Sequence, residues 1–103
     1  MNLKRTIEEN SEFSFYEEIS FGSEIIVEKR TILPVYRVKI LFFNEYVPNA
    51  TVTPLAFLFK EEIKKDNESK YEYYLIFFDE DYEKYTEKII KKYNEKFEQE
   101  IEL

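Results

Sequence analysis

Residues 70–101 read KYEYYLIFFDEDYEKYTEKIIKKYNEKFEQEI, and within this stretch the apolar spacing changes from that of a strand to that of a helix. Lys70–Phe78 is rich in tyrosine, phenylalanine and isoleucine, and becomes apolar on both faces toward its end, as a buried strand does. Asp79 then has the side chain of an N-cap. Glu80 and Asp81 place negative charge in the first turn, where the helix dipole favours it. Tyr85, Ile89, Tyr93, Phe97 and Ile101 recur every four residues, with Tyr82 and Ile90 beside them, so one side of the segment is an apolar stripe. The spacing predicts a helix of about 21 residues, roughly 31 Å long, which could cross a sheet whose strands hold about nine residues. No base follows Lys96, and Glu98, Glu100 and Glu102 oppose the dipole, so the last turn should fray.

The chain before this stretch reads as strands. From Glu12 to Ile19 the pattern alternates, with Phe13, Phe15 and Ile19 on one side and Glu12, Ser14, Tyr16 and Glu18 on the other. Ser20–Ser23 reads as a turn in which Gly22, the only glycine, supplies a positive φ. Glu24–Arg30 alternates again and completes a first hairpin. After Leu33-Pro34, Val35–Phe43 is a third strand, with Tyr36, Val38, Ile40 and Phe42 on one side. Asn44–Asn49 reads as a turn. Thr51–Lys60 is a fourth strand, in which Pro54 lacks a ladder donor and implies an edge or a bulge. Glu61–Ser69 reads as a charged connection, and the strands flanking it form a second hairpin. Met1–Asn10 is a helical turn or an irregular arm, anchored by Leu3 and Ile7.

The expected fold is therefore α+β. It is an antiparallel sheet of about five strands, two hairpins plus a central strand, with the C-terminal amphipathic helix packed on one face. One helix covers only one face of a sheet. Leu41, Phe43 and part of Leu75–Phe78 would then be left bare unless the N-terminal arm, sheet curvature or a second copy covers them. A homodimer is the commonest of these solutions.

A chain of 103 residues is one domain by length, and 44% hydrophobic with 18% aromatic content supports a core despite 36% charge. Lysine outnumbers arginine 12 to 3, and glutamate plus lysine make up 31 residues. Such usage fits a hyperthermophile or an AT-rich genome, a viral one included. No apolar run approaches the roughly 18 residues that span a bilayer, and the first residues lack the apolar stretch of a signal peptide. The expectation is a cytoplasmic protein with no membrane contact. With neither histidine nor cysteine, the chain cannot build a Ser-His-Asp or Cys-His site, a thiolate nucleophile or a His/Cys zinc site. A single glycine excludes phosphate-cradling loops. Asp79-Glu80-Asp81 offers oxygen donors, but adjacent residues at a helix start splay around the axis, and the cap accounts for them. No catalytic residue, metal ligand or cofactor is singled out. Lys84, Lys88, Lys91, Lys92 and Lys96 alternate with Glu83, Glu87 and Glu95, which describes a solvated helix face rather than a nucleic-acid contact.

What remains is charge. Between Thr6 and Glu28 there are seven glutamates and no base, and this segment alone carries a charge equal to the net −7 of the chain. The candidate partner-binding residues are Glu12, Tyr16, Glu17, Glu18, Glu24 and Glu28. All but Glu17 are expected on the outer face of the first hairpin. Glu17 falls in the phase of Phe13, Phe15 and Ile19, so either a bulge follows Tyr16 or that face is not core there. Like charges opposed across strands destabilise a sheet, so their retention suggests a positively charged partner. The reading expects a non-enzymatic acidic protein-binding module. In concrete form it is an inhibitor or modulator that occupies the basic, nucleic-acid-binding surface of a larger complex, as small virus-encoded anti-defence proteins do. A homodimeric structural or assembly protein is the alternative, and a carboxylate-dependent enzyme the third.

Overall fold

The computed structural model describes residues 13–44 and 46–101. The strands are β1 (Phe13–Phe21), β2 (Ile25–Val27), β3 (Arg30–Phe43), β4 (Tyr46–Lys65) and β5 (Glu68–Phe77). A 3-10 helix (Glu80–Tyr85) and α1 (Thr86–Phe97) follow. The strands form one antiparallel sheet in the order β1-β3-β4-β5, and β2 pairs with β3 on the same side as β1. The expected fold class is the observed one: a curled antiparallel sheet with a C-terminal helix on one face. Among the described residues no helix is long and apolar enough to cross a membrane.

The first hairpin turns later in the chain than expected. β1 runs through Phe21, and β2 continues in the same direction along β3, so β1 and β2 lie end to end and do not pair with each other. The reversal comes at Glu28-Lys29, between Val27 and its partner Arg30, and Glu28 takes φ 56°. Phe21 pairs with Val35 and Ile25 with Ile32, so the edge strand holds one residue more than β3 opposite it, which is a bulge over residues 22–24. Gly22 has no positive φ. Its role is close approach: a Cβ there would sit 3.1 Å from the Tyr36 ring and 3.2 Å from Pro34 Cβ. The bulge also explains how a proline occupies an inner strand. The Pro34 carbonyl accepts from Gly22 N–H at 2.9 Å, so its missing donor faces the same side, where the bulge interrupts the ladder. Gly22→Ala should lower the unfolding free energy by about 1–2 kcal/mol, read from urea denaturation, because Pro34 and Tyr36 must both shift.

β4 is longer than expected at both ends, and the segment expected as a charged connection is strand. The β4–β5 turn is reduced to Asp66-Asn67, at φ 52° and 67°, the pair of positive angles that a two-residue I′ hairpin needs. Pro54 satisfies both of its expected readings. Val35 pairs with Ala56 and Tyr36 with Pro54, so Leu55 is the extra residue of a bulge, and β5 does not extend beside Pro54.

The core lies between the sheet and the helices. Ile19, Phe21, Leu33, Val35, Leu55 and Leu58 meet Tyr85, Ile89 and Tyr93. The apolar stripe of the last segment is thus the buried one, but the segment is not one continuous helix. Asp79 caps a 3-10 turn by accepting from Asp81 N–H at 2.9 Å, and the α-helix starts only at Thr86. It stops at Glu98, which adopts the left-handed conformation (φ 52°, ψ 44°). The turn expected to fray is not helical beyond Phe97, and the chain there is held by Asn94, whose side chain donates to the Ile101 carbonyl and accepts from its N–H, both at 3.0 Å. Ile101 is thereby folded back against the core.

Candidate functional site

The acidic residues follow the path of the edge strand. Tyr16, Glu17 and Glu18 lie on β1, Glu24 in the bulge and Glu28 in the turn. Glu12 lies outside the described residues. The expected common face of two adjacent strands is not formed, because β1 and β2 are consecutive along one edge. The acids are strung out instead. From the level of Glu28, beside Arg30, to Glu18, opposite Val38, is about 26 Å at ~3.3 Å per strand residue. The cross-strand repulsion expected between them is therefore avoided.

The register of β1 on β3 runs unbroken through Tyr16, Glu17 and Glu18, so no bulge follows Tyr16. Glu17 shares the side of Ile19 but pairs with Lys39 and is exposed, so that side is not core at this level. Glu18 is held by the chain itself. Its Oε1 lies 3.1 Å from Lys92 Nζ on α1, and its Oε2 accepts from the Tyr16 hydroxyl. The Tyr16 bond first, and Lys92 second, hold the Glu18 carboxyl below its usual value; Glu18 in turn raises Lys92. Tyr16, Glu17, Glu18 and Ile19 form one wall of a groove of about 340 Å³, and Lys88, Lys91, Lys92 and Glu95 form the other. Glu17, Glu24 and Glu28 are exposed and form no ion pair among the described residues. Charge along an edge strand also discourages a further strand from pairing there.

A second surface lies on the side of the sheet away from the helix. Leu33, Val35 and Arg37 of β3 face the helix, whereas Tyr36, Val38, Ile40 and Phe42, the more uniformly apolar set, face away. Arg37 is accommodated on the helix side by donating to the Tyr85 hydroxyl at 2.6 Å and lying over its ring. On the far side, Phe59 and Tyr74 stack at 4.9 Å between ring centres, and Phe57 meets Phe78 edge-on at 5.1 Å. At one end of this side Arg30 pairs with Glu61, which also accepts from the Tyr74 hydroxyl at 2.9 Å. Tyr74 and then Arg30 hold the Glu61 carboxyl below its ordinary value. This surface is absent from the acidic candidate set. Its signal was the apolar phase of Tyr36, Val38, Ile40 and Phe42 along β3.

Among the described residues, no three acidic side chains converge as a metal site would require. The carboxyls of Glu18 and Glu61 both move downward, opposite to the shift that makes a carboxyl a proton donor near neutrality. Compared with protein-family models, with curated proteins and with solved structures, the chain has no match.

Proposed function

We propose that this chain is a non-enzymatic protein-binding module that offers its acidic edge strand to a basic protein surface. In its concrete form it inhibits or modulates a larger complex by occupying a surface that otherwise holds nucleic acid. The observation that carries this reading is the set Glu17, Glu24 and Glu28, exposed along the outermost strand and free of ion pairs among the described residues. Unpaired carboxylates spread over about 30 Å of edge, from the level of Glu28 beside Arg30 to Glu17 opposite Lys39, form a one-sign field that steers and orients a cationic partner. Glu18 has a different part: its carboxylate fastens the edge strand to α1 through Lys92.

Glu17→Lys, Glu24→Lys and Glu28→Lys combined should abolish capture of the partner from the native host at low salt, with circular dichroism unchanged. The same reversal of charge at the exposed Glu68, Glu72 and Glu87 should leave capture intact. Capture by the parent chain should weaken as ionic strength rises and the Debye length falls to about 8 Å. A partner retained by the edge variant, or lost equally by both variants, overturns the reading.

A further inference from the structure

We infer that the sheet face away from the helix is the interface between two copies of this chain. The face is built from Ile32–Phe42 of β3, Ala50–Phe59 of β4 and Tyr74–Phe78, each taken in the phase opposite to the core, with Ile25 and Val27 of β2 beside them. The bulge over residues 22–24 puts Ile25 and Val27 there by reversing the alternation of the edge strand. No charged side chain interrupts this area. Charge appears only at its margins, with Glu18 on one edge and Arg30, Glu61 and Glu72 at one end. Val52 is 60%, Phe78 53%, Val27 52% and Ile76 51% exposed, and nothing among the described residues covers them.

Area, capacity and charge select the occupant. At ~3.3 Å along and ~4.8 Å across for each strand residue, these segments present roughly 460 Å² as a flat patch, within the range of the largest patch a monomer leaves bare. Two such faces in contact remove roughly 920 Å² measured flat, before the relief of the side chains is added, which is close to the ~1,000 Å² expected of a specific interface. Residues 1–12 bring only Met1, Leu3 and Ile7 as large apolar side chains, too few to cover a face built from four strands. A basic partner finds no carboxylate within the face to pair with. A second copy presents the same neutral surface, so two chains of net charge −7 can meet while their charges stay at the periphery. A two-fold axis makes such a contact self-complementary, and two sheets stacked about 10 Å apart place both helices outside. The acidic edges stay at the flanks of this assembly, so the inference stands apart from the reading of those edges.

Light scattering of the full chain during size exclusion, from about 1 to about 100 µM, tests the assignment. The expected mass is that of two chains, and the thermal midpoint should rise with concentration, as it does for a dimer. Val52→Lys with Ile76→Lys, both at exposed positions, should give one-chain mass and an unchanged circular dichroism spectrum. Ile76→Ser is the milder second variant and should weaken association at least ten-fold. Glu83→Lys, on the exposed side of the 3-10 helix, should keep two chains together. One-chain mass for the parent throughout the range overturns the inference. So does a two-chain mass that survives both face variants, or one that Glu83→Lys dissociates.

Discussion

Ile89→Ala should lower the unfolding free energy by about 3–4 kcal/mol. Ile89 is fully buried on α1, and it shares the core with residues of two strands, Val35 of β3 and Leu55 and Leu58 of β4, with Tyr85 and Tyr93 on the helical side. Removing buried methylene and methyl groups loses their transfer energy and leaves a cavity that the surroundings only partly fill, at about 2–5 kcal/mol for isoleucine to alanine. Relaxation is restricted here. Val35 and Leu55 are themselves fully buried, and Leu55 is fixed by the β4 bulge. A domain of this size has only about 5–15 kcal/mol of total stability. Its core, moreover, lies on one side of the sheet only, so the fractional loss is large. Urea denaturation measures it. A loss below about 1.5 kcal/mol would mean that the helix does not seal this core. The exposed Val52 offers the contrast: Val52→Ala should cost well under 1 kcal/mol in the isolated chain.

The helix stripe was legible because a four-residue recurrence sustained from Tyr85 to Ile101 leaves little choice of buried face. Its division into a 3-10 turn and a shorter α-helix was not. A spacing of three to four residues from Tyr82 to Tyr85 to Ile89 suits both helices, and Asp79 caps either. Turns were legible where residue type and geometry agree. Asp66 and Asn67 are suited to left-handed φ, yet the charges around them concealed that both neighbouring strands continue, since that end of the sheet has no core to impose alternation. At Glu28 they disagree. A glutamate at φ 56° gives no sequence signal, and the lone Gly22 drew the turn to a place where it serves a bulge instead. The displaced turn accounts for the change in the acidic site. Tyr16, Glu17, Glu24 and Glu28 are exposed, but along one edge rather than on a shared hairpin face. The covering of the second sheet face was legible as an unsolved problem, and the structure sharpens it by placing the helix on the side of Arg37.

Raising the pH from about 10 to about 12 should remove up to about 2 kcal/mol of stability through Tyr93 alone. Tyr93 lies on α1 with the Phe21 ring 6.1 Å, Tyr73 6.0 Å and Phe97 4.7 Å away, centre to centre. Burial is the main cause that pushes its hydroxyl from the ordinary 10.0 up to about 12, and Tyr73 and the field of Glu24 add to it. In the unfolded chain the hydroxyl ionises near its ordinary value, whereas in the folded protein it must hold its proton or place a phenolate among aromatic rings. The folded state therefore binds more protons between the two values. Its advantage is complete below pH 10 and is lost as pH rises through about 12. Lys92, raised by Glu18, loses its stabilising charge in the same alkaline range and in the same direction, so a fall in stability would not by itself identify Tyr93. Tyr93→Phe separates them, because it keeps the ring and removes the titration. Denaturation curves taken across this range should show the parent losing stability more steeply than the variant. Parallel curves would place the alkaline loss on the other raised groups, Lys92, Tyr16 and Tyr74, and would mean that the Tyr93 hydroxyl reaches water.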